Sequence, residues 1–141
     1  MKKTAANLLC EAKEYILTTG KIVKNWENAY ETPDGTELFL SELNKLSEGD
    51  LAECRVCMLG AIAVIGKLNY EGTGHVHYDL NDGNPTIVKR ALKALVMAHR
   101  AIFDYKPSST GNIDKFLKRH NRAQITAVFD KAIEMVPRVR V

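Results

Sequence analysis

Asp50-Leu-Ala-Glu-Cys54-Arg-Val-Cys57-Met-Leu-Gly-Ala-Ile-Ala-Val-Ile-Gly66 is the stretch on which the fold turns. Asp50 with Glu53 three residues on has the form of a capping box. The run beyond is apolar on nearly every side until Gly66, a natural helix stop. Read as one helix over residues 50–65, it has to occupy the middle of a core, because a helix hydrophobic all round offers no face to water. Cys54 and Cys57 then lie on one side of its first turns, as packing or as the floor of a site. Gly60, Ala61 and Ala63 leave small faces where a neighbouring helix, or a second copy of the chain, can approach closely.

Outward from that hub, Ala5, Leu8, Leu9, Ala12, Ile16 and Leu17 recur at helical spacing over residues 4–19, with Gly20 as a left-handed stop. Lys21 to Tyr30 alternates, with Lys24, Trp26, Asn28 and Tyr30 on one side. Pro33-Asp34-Gly35 and Thr36-Glu-Leu-Phe-Leu follow, so the segment predicts a small β-hairpin. Leu40 to Leu46 suits a short helix. Residues 67–84 are rich in glycine, asparagine and aspartate and read as a loop. Asn84-Pro85 then caps a helix whose stripe is Val88, Ala91, Leu92, Leu95, His99 and Ile102. Turn formers fill 106–112, a short helix carries Ile113, Phe116 and Leu117, and Asn121 caps a last helix. That helix has the clearest stripe of all, Ile125, Val128, Phe129, Ala132, Ile133 and Val136, and Pro137 ends it. The expected fold is mostly α: a single compact helical domain over residues 1–141 (core about 4–136) around a buried central helix, with a small N-terminal β-hairpin.

Composition narrows the class. The 141 residues are enough to bury a core without staples, and 45% hydrophobic with 26% charged residues is the balance of an ordered globular chain. Met1-Lys-Lys-Thr is basic, but the residues after it are charged too early for a signal-peptide core. The run Val56–Ile65 is about half of the ~20 residues needed to cross a bilayer. Three cysteines without a framework spacing suit a reducing compartment. A cytoplasmic protein without membrane contact is the expectation. The net charge of +3 is small, yet unevenly spread. Residues 1–50 carry 6 basic and 9 acidic side chains, whereas residues 113–141 carry 7 and 3. The basic end holds Lys115, Lys118, Arg119, Arg122, Lys131, Arg138 and Arg140. It reads as a solvated helical face or as a patch for an acidic protein, a small anionic ligand or nucleic acid. Nucleic acid is not favoured, because no aromatic residues interleave with these cations.

Several chemical constellations can be weighed. Cys54-x-x-Cys57 at a helix start would suit dithiol redox work, but the βαβ frame of such motifs is missing and Glu53 adds negative charge. Zinc would need Cys54 and Cys57 with His75 and His77, a pairing that joins a buried helix to a loop. A thiol enzyme would use Cys57 with a base, for which a Cys57–His120–Asn121 grouping is imaginable. His99, on an apolar stripe, reads as a hydrogen-bonded core residue. Asp79, Asn81 and Asp82 fail the alternation of a calcium loop, and no phosphate-binding glycine loop or hydrolase elbow is present. No metal, cofactor or catalytic residue is therefore expected. Trp26, the only tryptophan, is either a core cap or an aromatic wall for a ligand or partner.

Trp26, Cys57-Met-Leu-Gly-Ala-Ile62 and Asn121-Arg-Ala-Gln-Ile-Thr-Ala-Val-Phe-Asp-Lys-Ala-Ile133 carry a resemblance spanning about residues 8–136. The chain resembles a family of small uncharacterised domains common in bacteriophages and their bacterial hosts. Members show an initial helix, a tryptophan-bearing hairpin, a Cys-x-x-Gly-Ala helix and an Asn-Asp element leading into the last helix. By that resemblance Trp26, Cys57, Gly60, Ala61 and Asn121 fall on motif positions, and Arg122 stands where an aspartate is usual, which counts against acid–base work there. Cys54 lies outside the pattern. The resemblance implies no settled activity and favours an accessory role on host components. The expected function is a non-catalytic, phage-type accessory protein that binds a host protein or sequesters a small ligand through Trp26, Cys57, Arg119, Asn121 and Arg122. A thiol-dependent enzyme using Cys57 and a weakly basic nucleic-acid-binding module are the alternatives, and a homo-oligomer remains open.

Overall fold

The computed structural model describes residues 4–18, 20–43, 45–71, 86–106, 116 and 118–139. It is mostly helical, with one two-stranded antiparallel sheet. Helix α1 (Ala5–Leu17) starts at Thr4, whose hydroxyl accepts from Asn7 N at 3.1 Å. It buries Ala5, Leu8, Leu9, Ala12 and Ile16, the stripe its spacing predicts. The backbone turns away at Gly20, whose φ of +83° is cheap only without a Cβ.

The hydrophobic hub differs from the single helix expected over 50–65. Ser47 caps a short helix, α3 (Glu48–Ala52), by accepting from Asp50 N at 3.2 Å. Asp50 is therefore inside that helix and is not the cap of the central one. The chain then extends as β2 (Arg55–Val56) before α4 (Met58–Gly66) begins at Cys57. The interruption follows from hydrogen bonds made to distant residues. Val56 N donates to Lys21 O at 2.7 Å and Cys57 N to Ala29 O at 3.1 Å, so neither amide is available to a continuous helix. All nine residues of α4 are buried. Helices α1 and α5 (Thr86–Phe103) pack against it. The helix does not stop at Gly66, but widens into a π-helical turn over Lys67–Glu71. Gly66 lies where a Cβ would meet Val88 of α5 at 2.9 Å.

The hairpin also needs correction. The turn falls where Pro33-Asp34-Gly35 places it: Gly35 N donates to Thr32 O, Thr32 N to Thr36 O, and Gly35 has φ +93°. The return arm, however, makes one isolated bridge, Glu31 to Glu37. The ladder partner of β1 (Tyr30–Glu31) is β2, with Tyr30 opposite Val56 and Glu31 opposite Arg55. Ile22 bridges Val56 in parallel. Val56, buried completely, thus draws two N-terminal segments onto the start of α4.

After α2 (Leu40–Leu43), α3 and α4, helix α5 (Thr86–Phe103) buries Val88, Ala91, Leu92, Leu95 and His99, while Ile102 is 39% exposed and falls off the stripe. Helix α6 (Arg122–Met135) packs on α5 and α1 and buries Ile125, Val128, Phe129 and Ala132. Asn121 caps it in a full capping box with Gln124, two hydrogen bonds of 2.8 Å. Val136–Arg138 continue as a 3₁₀ turn containing Pro137. The expected cap Asn84-Pro85, the histidines His75 and His77, Asp79, Asn81 and Asp82, the 107–112 turn formers, Ile113, Lys115, Leu117 and Arg140 lie outside the described residues. Of the short helix expected there, Phe116 is described, fully buried. Among the described residues no helix is long and apolar enough to cross a membrane.

Candidate functional site

Trp26 is carried by a loop and not by a hairpin strand. A buried carboxylate organises that loop. Glu31, fully buried at the end of β1, accepts from Lys24 N at 2.8 Å, Asn25 N at 2.9 Å and Asn28 Nδ2 at 3.0 Å. Asn25 Oδ1 in turn accepts from Glu27 N at 3.0 Å. These bonds curl residues 24–28 around one negative charge, which leaves the indole of Trp26 half-buried.

The loop faces the segment leading into α6, and a cleft of about 720 Å³ opens between them. Ile22, Val23 and Trp26 supply its apolar lining, and Lys24, Arg119, Asn121, Arg122 and Gln124 its polar one. Four of the five residues expected at a site, Trp26, Arg119, Asn121 and Arg122, thus line one cavity. Lys24 and Gln124 are additions. Gln124 is there as the capping-box partner of Asn121. The α6 N-terminus adds its dipole to the three cations, so the cleft favours negative charge.

Cys57 is not among the lining residues. It is fully buried, and its Sγ accepts from Gly60 N at 3.4 Å, acting as the N-cap of α4. Gly60 completes the motif. A Cβ there would meet Ala29 O at 2.8 Å, and the same carbonyl accepts from Cys57 N. In this chain Cys-x-x-Gly-Ala is therefore a joint between β1 and α4, and the small faces of Gly60, Ala61 and Ala63 are used up inside the fold. Cys54 is buried too; burial chiefly pushes its thiol up, with Asp50 and Glu53 adding to the shift and Lys21 opposing it. Native protein should consequently take up one iodoacetamide label, on exposed Cys10, and three in denaturant, as read by intact mass. Rapid native labelling of Cys57 would contradict this. Among the described residues no three His, Cys, Asp or Glu side chains cluster as metal ligands.

Behind the cleft stands a histidine pair separated by 21 residues in sequence. His99 Nε2 and His120 Nε2 are 3.0 Å apart, and His99 Nδ1 is 2.6 Å from Tyr105 Oη. Phe116 stacks on His99 at 4.1 Å between ring centroids, Phe103 meets His120 edge-on at 5.2 Å, and Trp26 meets His120 edge-on at 6.0 Å. His120 is only 7% exposed, and its Nδ1 makes no hydrogen bond of standard geometry. Burial lowers the pKa of His120 below the ordinary histidine value, with the Lys118 backbone opposing in part. Tyr105 is pushed up to about 12, chiefly by burial against the pull of Arg100, so it keeps its proton. A second cavity of about 340 Å³, lined by His99, Phe103, Asp104, Tyr105 and Lys118, shares Arg119, His120 and Gln124 with the first. His120 therefore lines both cavities.

The protein is thus a mostly helical chain with a tryptophan-walled, cation-rimmed cleft set against a buried histidine pair. The chain belongs to a family of unknown function (DUF6197), matched over residues 1–135. No curated protein and no solved structure matches it.

Proposed function

We propose that this protein is a non-catalytic binding protein that sequesters a small aromatic anion in the Trp26 cleft. The observation that carries the reading is the convergence of one indole with Lys24, Arg119 and Arg122 on a single cavity. Indole offers a large flat apolar surface, and a guanidinium offers paired donors matched to carboxylate, sulfonate or phosphate oxygens. The volume is that of a small-molecule site. The phage-type accessory role belongs to the same proposal: a protein that withdraws an anionic metabolite from host chemistry needs a site and no reaction.

Because Trp26 is the only tryptophan, its emission reports directly on the cleft. Titration with benzenesulfonate or phenyl phosphate is expected to shift that emission saturably. Arg119→Ala and Arg122→Ala should each weaken binding by roughly ten- to a hundred-fold, since a charge-assisted hydrogen bond is worth about 1.5–3 kcal/mol. Unchanged emission and unchanged thermal stability up to about 10 mM ligand, where binding is worth under about 3 kcal/mol, would overturn the reading. Turnover of a ligand that vanished in Cys57→Ser would overturn its non-catalytic part.

A further inference from the structure

We propose that anion capture in the Trp26 cleft is coupled to uptake of one proton by the Tyr105–His99–His120 chain, so that the ligand and a proton bind together. The inference rests on the binding reading above and adds its regulation.

The geometry supplies the reason. Two imidazoles joined Nε2 to Nε2 at 3.0 Å hold one proton between them, because two N–H groups cannot face each other at that distance. With both rings neutral and His120 carrying its proton on Nδ1, on the side of the Lys118 backbone, Tyr105 Oη donates to His99 Nδ1, and His99 Nε2–H donates to His120 Nε2. Adding a proton reverses the chain without moving a ring. A proton from solvent binds Tyr105 Oη as that oxygen passes its own proton to His99 Nδ1. His99 releases its Nε2 proton to His120 Nε2. One O–H and two N–H bonds form while one O–H and one N–H bond break, and the added positive charge ends on His120. Tyr105 remains a neutral phenol, now accepting from His99 Nδ1–H.

The charge therefore arrives at a residue that lines both cavities. Among the described residues the charged and titratable groups around the chain are Lys24 from the Trp26 loop, Arg100 on α5, Asp104 and Tyr105 after α5, Lys118 and Arg119 before α6, and Arg122 within α6. Five are cations and one is an anion. With the cleft empty, burial holds His120 neutral, and like charges nearby oppose adding a proton to it. A bound anion offsets those cations and draws the proton in. A neutral aromatic ligand would lack this pull, which defines the ligand class as aromatic anions.

Calorimetry with benzenesulfonate separates the possibilities, because the probe keeps its charge between about pH 5 and 8, the window in which only histidine side chains ordinarily titrate. Repeating the titration in buffers of different ionisation enthalpy counts protons. The expected result is close to one proton taken up per ligand near neutrality, with affinity falling up to tenfold per pH unit as pH rises. His120→Asn is expected to bind with an affinity independent of pH and to take up no proton. Imidazole proton resonances of the wild type should show His120 titrating to a higher midpoint when ligand is present, and this needs no variant to fold. Binding without proton uptake would sink the coupling and leave the binding reading standing. Absence of binding at any pH would sink both.

Discussion

Gly60→Ala is expected to lower stability by about 3 kcal/mol, near the upper end of what overpacking a core costs. The added Cβ would lie 2.8 Å from Ala29 O, 3.1 Å from Tyr30 Cε1 and 3.2 Å from Val56 Cβ. The nearest atom is backbone, so no rotamer change relieves the contact. Relief requires β1 to move off α4, which stretches the bond from Cys57 N to Ala29 O and loosens the Tyr30–Val56 pairing. Gly49, inside α3, is the control: nothing lies within 4 Å of its added Cβ. Gly49→Ala should be neutral or stabilising by up to about 1 kcal/mol, through helix propensity alone. Denaturant melts of both variants give the comparison, and equal midpoints would disprove the joint between β1 and α4. Cys57→Ser belongs to the same logic. A hydroxyl caps a helix at least as well as a thiol, so that variant should fold with a modest loss from polar burial.

These contacts explain which parts of the fold could be read from residues. α1 and α6 were legible because each buries one stripe and exposes the rest, and because Thr4 and Asn121 are cap types directly ahead of a periodic run. The 50–66 region was not, for the same reason that it drew attention. A run apolar on every side has no period, so nothing local distinguishes a helix from a helix, a two-residue strand and a second helix. What breaks it is pairing with Lys21, Ala29 and Tyr30, some thirty residues away. Ile102 shows the converse: it keeps the spacing of its stripe, yet lies near the end of α5 and is 39% exposed.

The site was partly legible. Trp26, Arg119, Asn121 and Arg122 could be named from residue type, but their convergence depends on the loop curled around Glu31. His99 read as a packed, hydrogen-bonded core residue and is one. Its partner His120, buried beside two exposed residues, gave no local sign that the two rings meet. Cys57 was singled out for its thiol chemistry, whereas its geometry gives it the work of a cap.

Glu31→Gln is expected to destabilise the protein by about 2–3 kcal/mol and to loosen Trp26. The carboxylate receives Lys24 N on Oε1 and both Asn25 N and Asn28 Nδ2 on Oε2. A glutamine of the same shape can turn its one oxygen toward Asn25 and Asn28, but its amide nitrogen then faces Lys24 N, donor against donor. A buried donor left without an acceptor costs about 1–3 kcal/mol, and the bonds that survive lose the assistance of a full charge. Glu31→Ala strands all three donors and should cost more. Neither substitution touches the β1–β2 backbone pairing, so the damage is confined to the 24–28 loop and reads out there. Trp26 emission should shift to the red as the indole gains water, and benzenesulfonate should bind more weakly although no cation of the cleft has changed. Glu37→Gln, on the exposed return arm, should stay within about 0.5 kcal/mol of the wild type. A Glu31→Gln protein with wild-type melting and wild-type emission would show that the loop holds its shape without the buried charge, and Trp26 would then owe its place to the packing of its own ring.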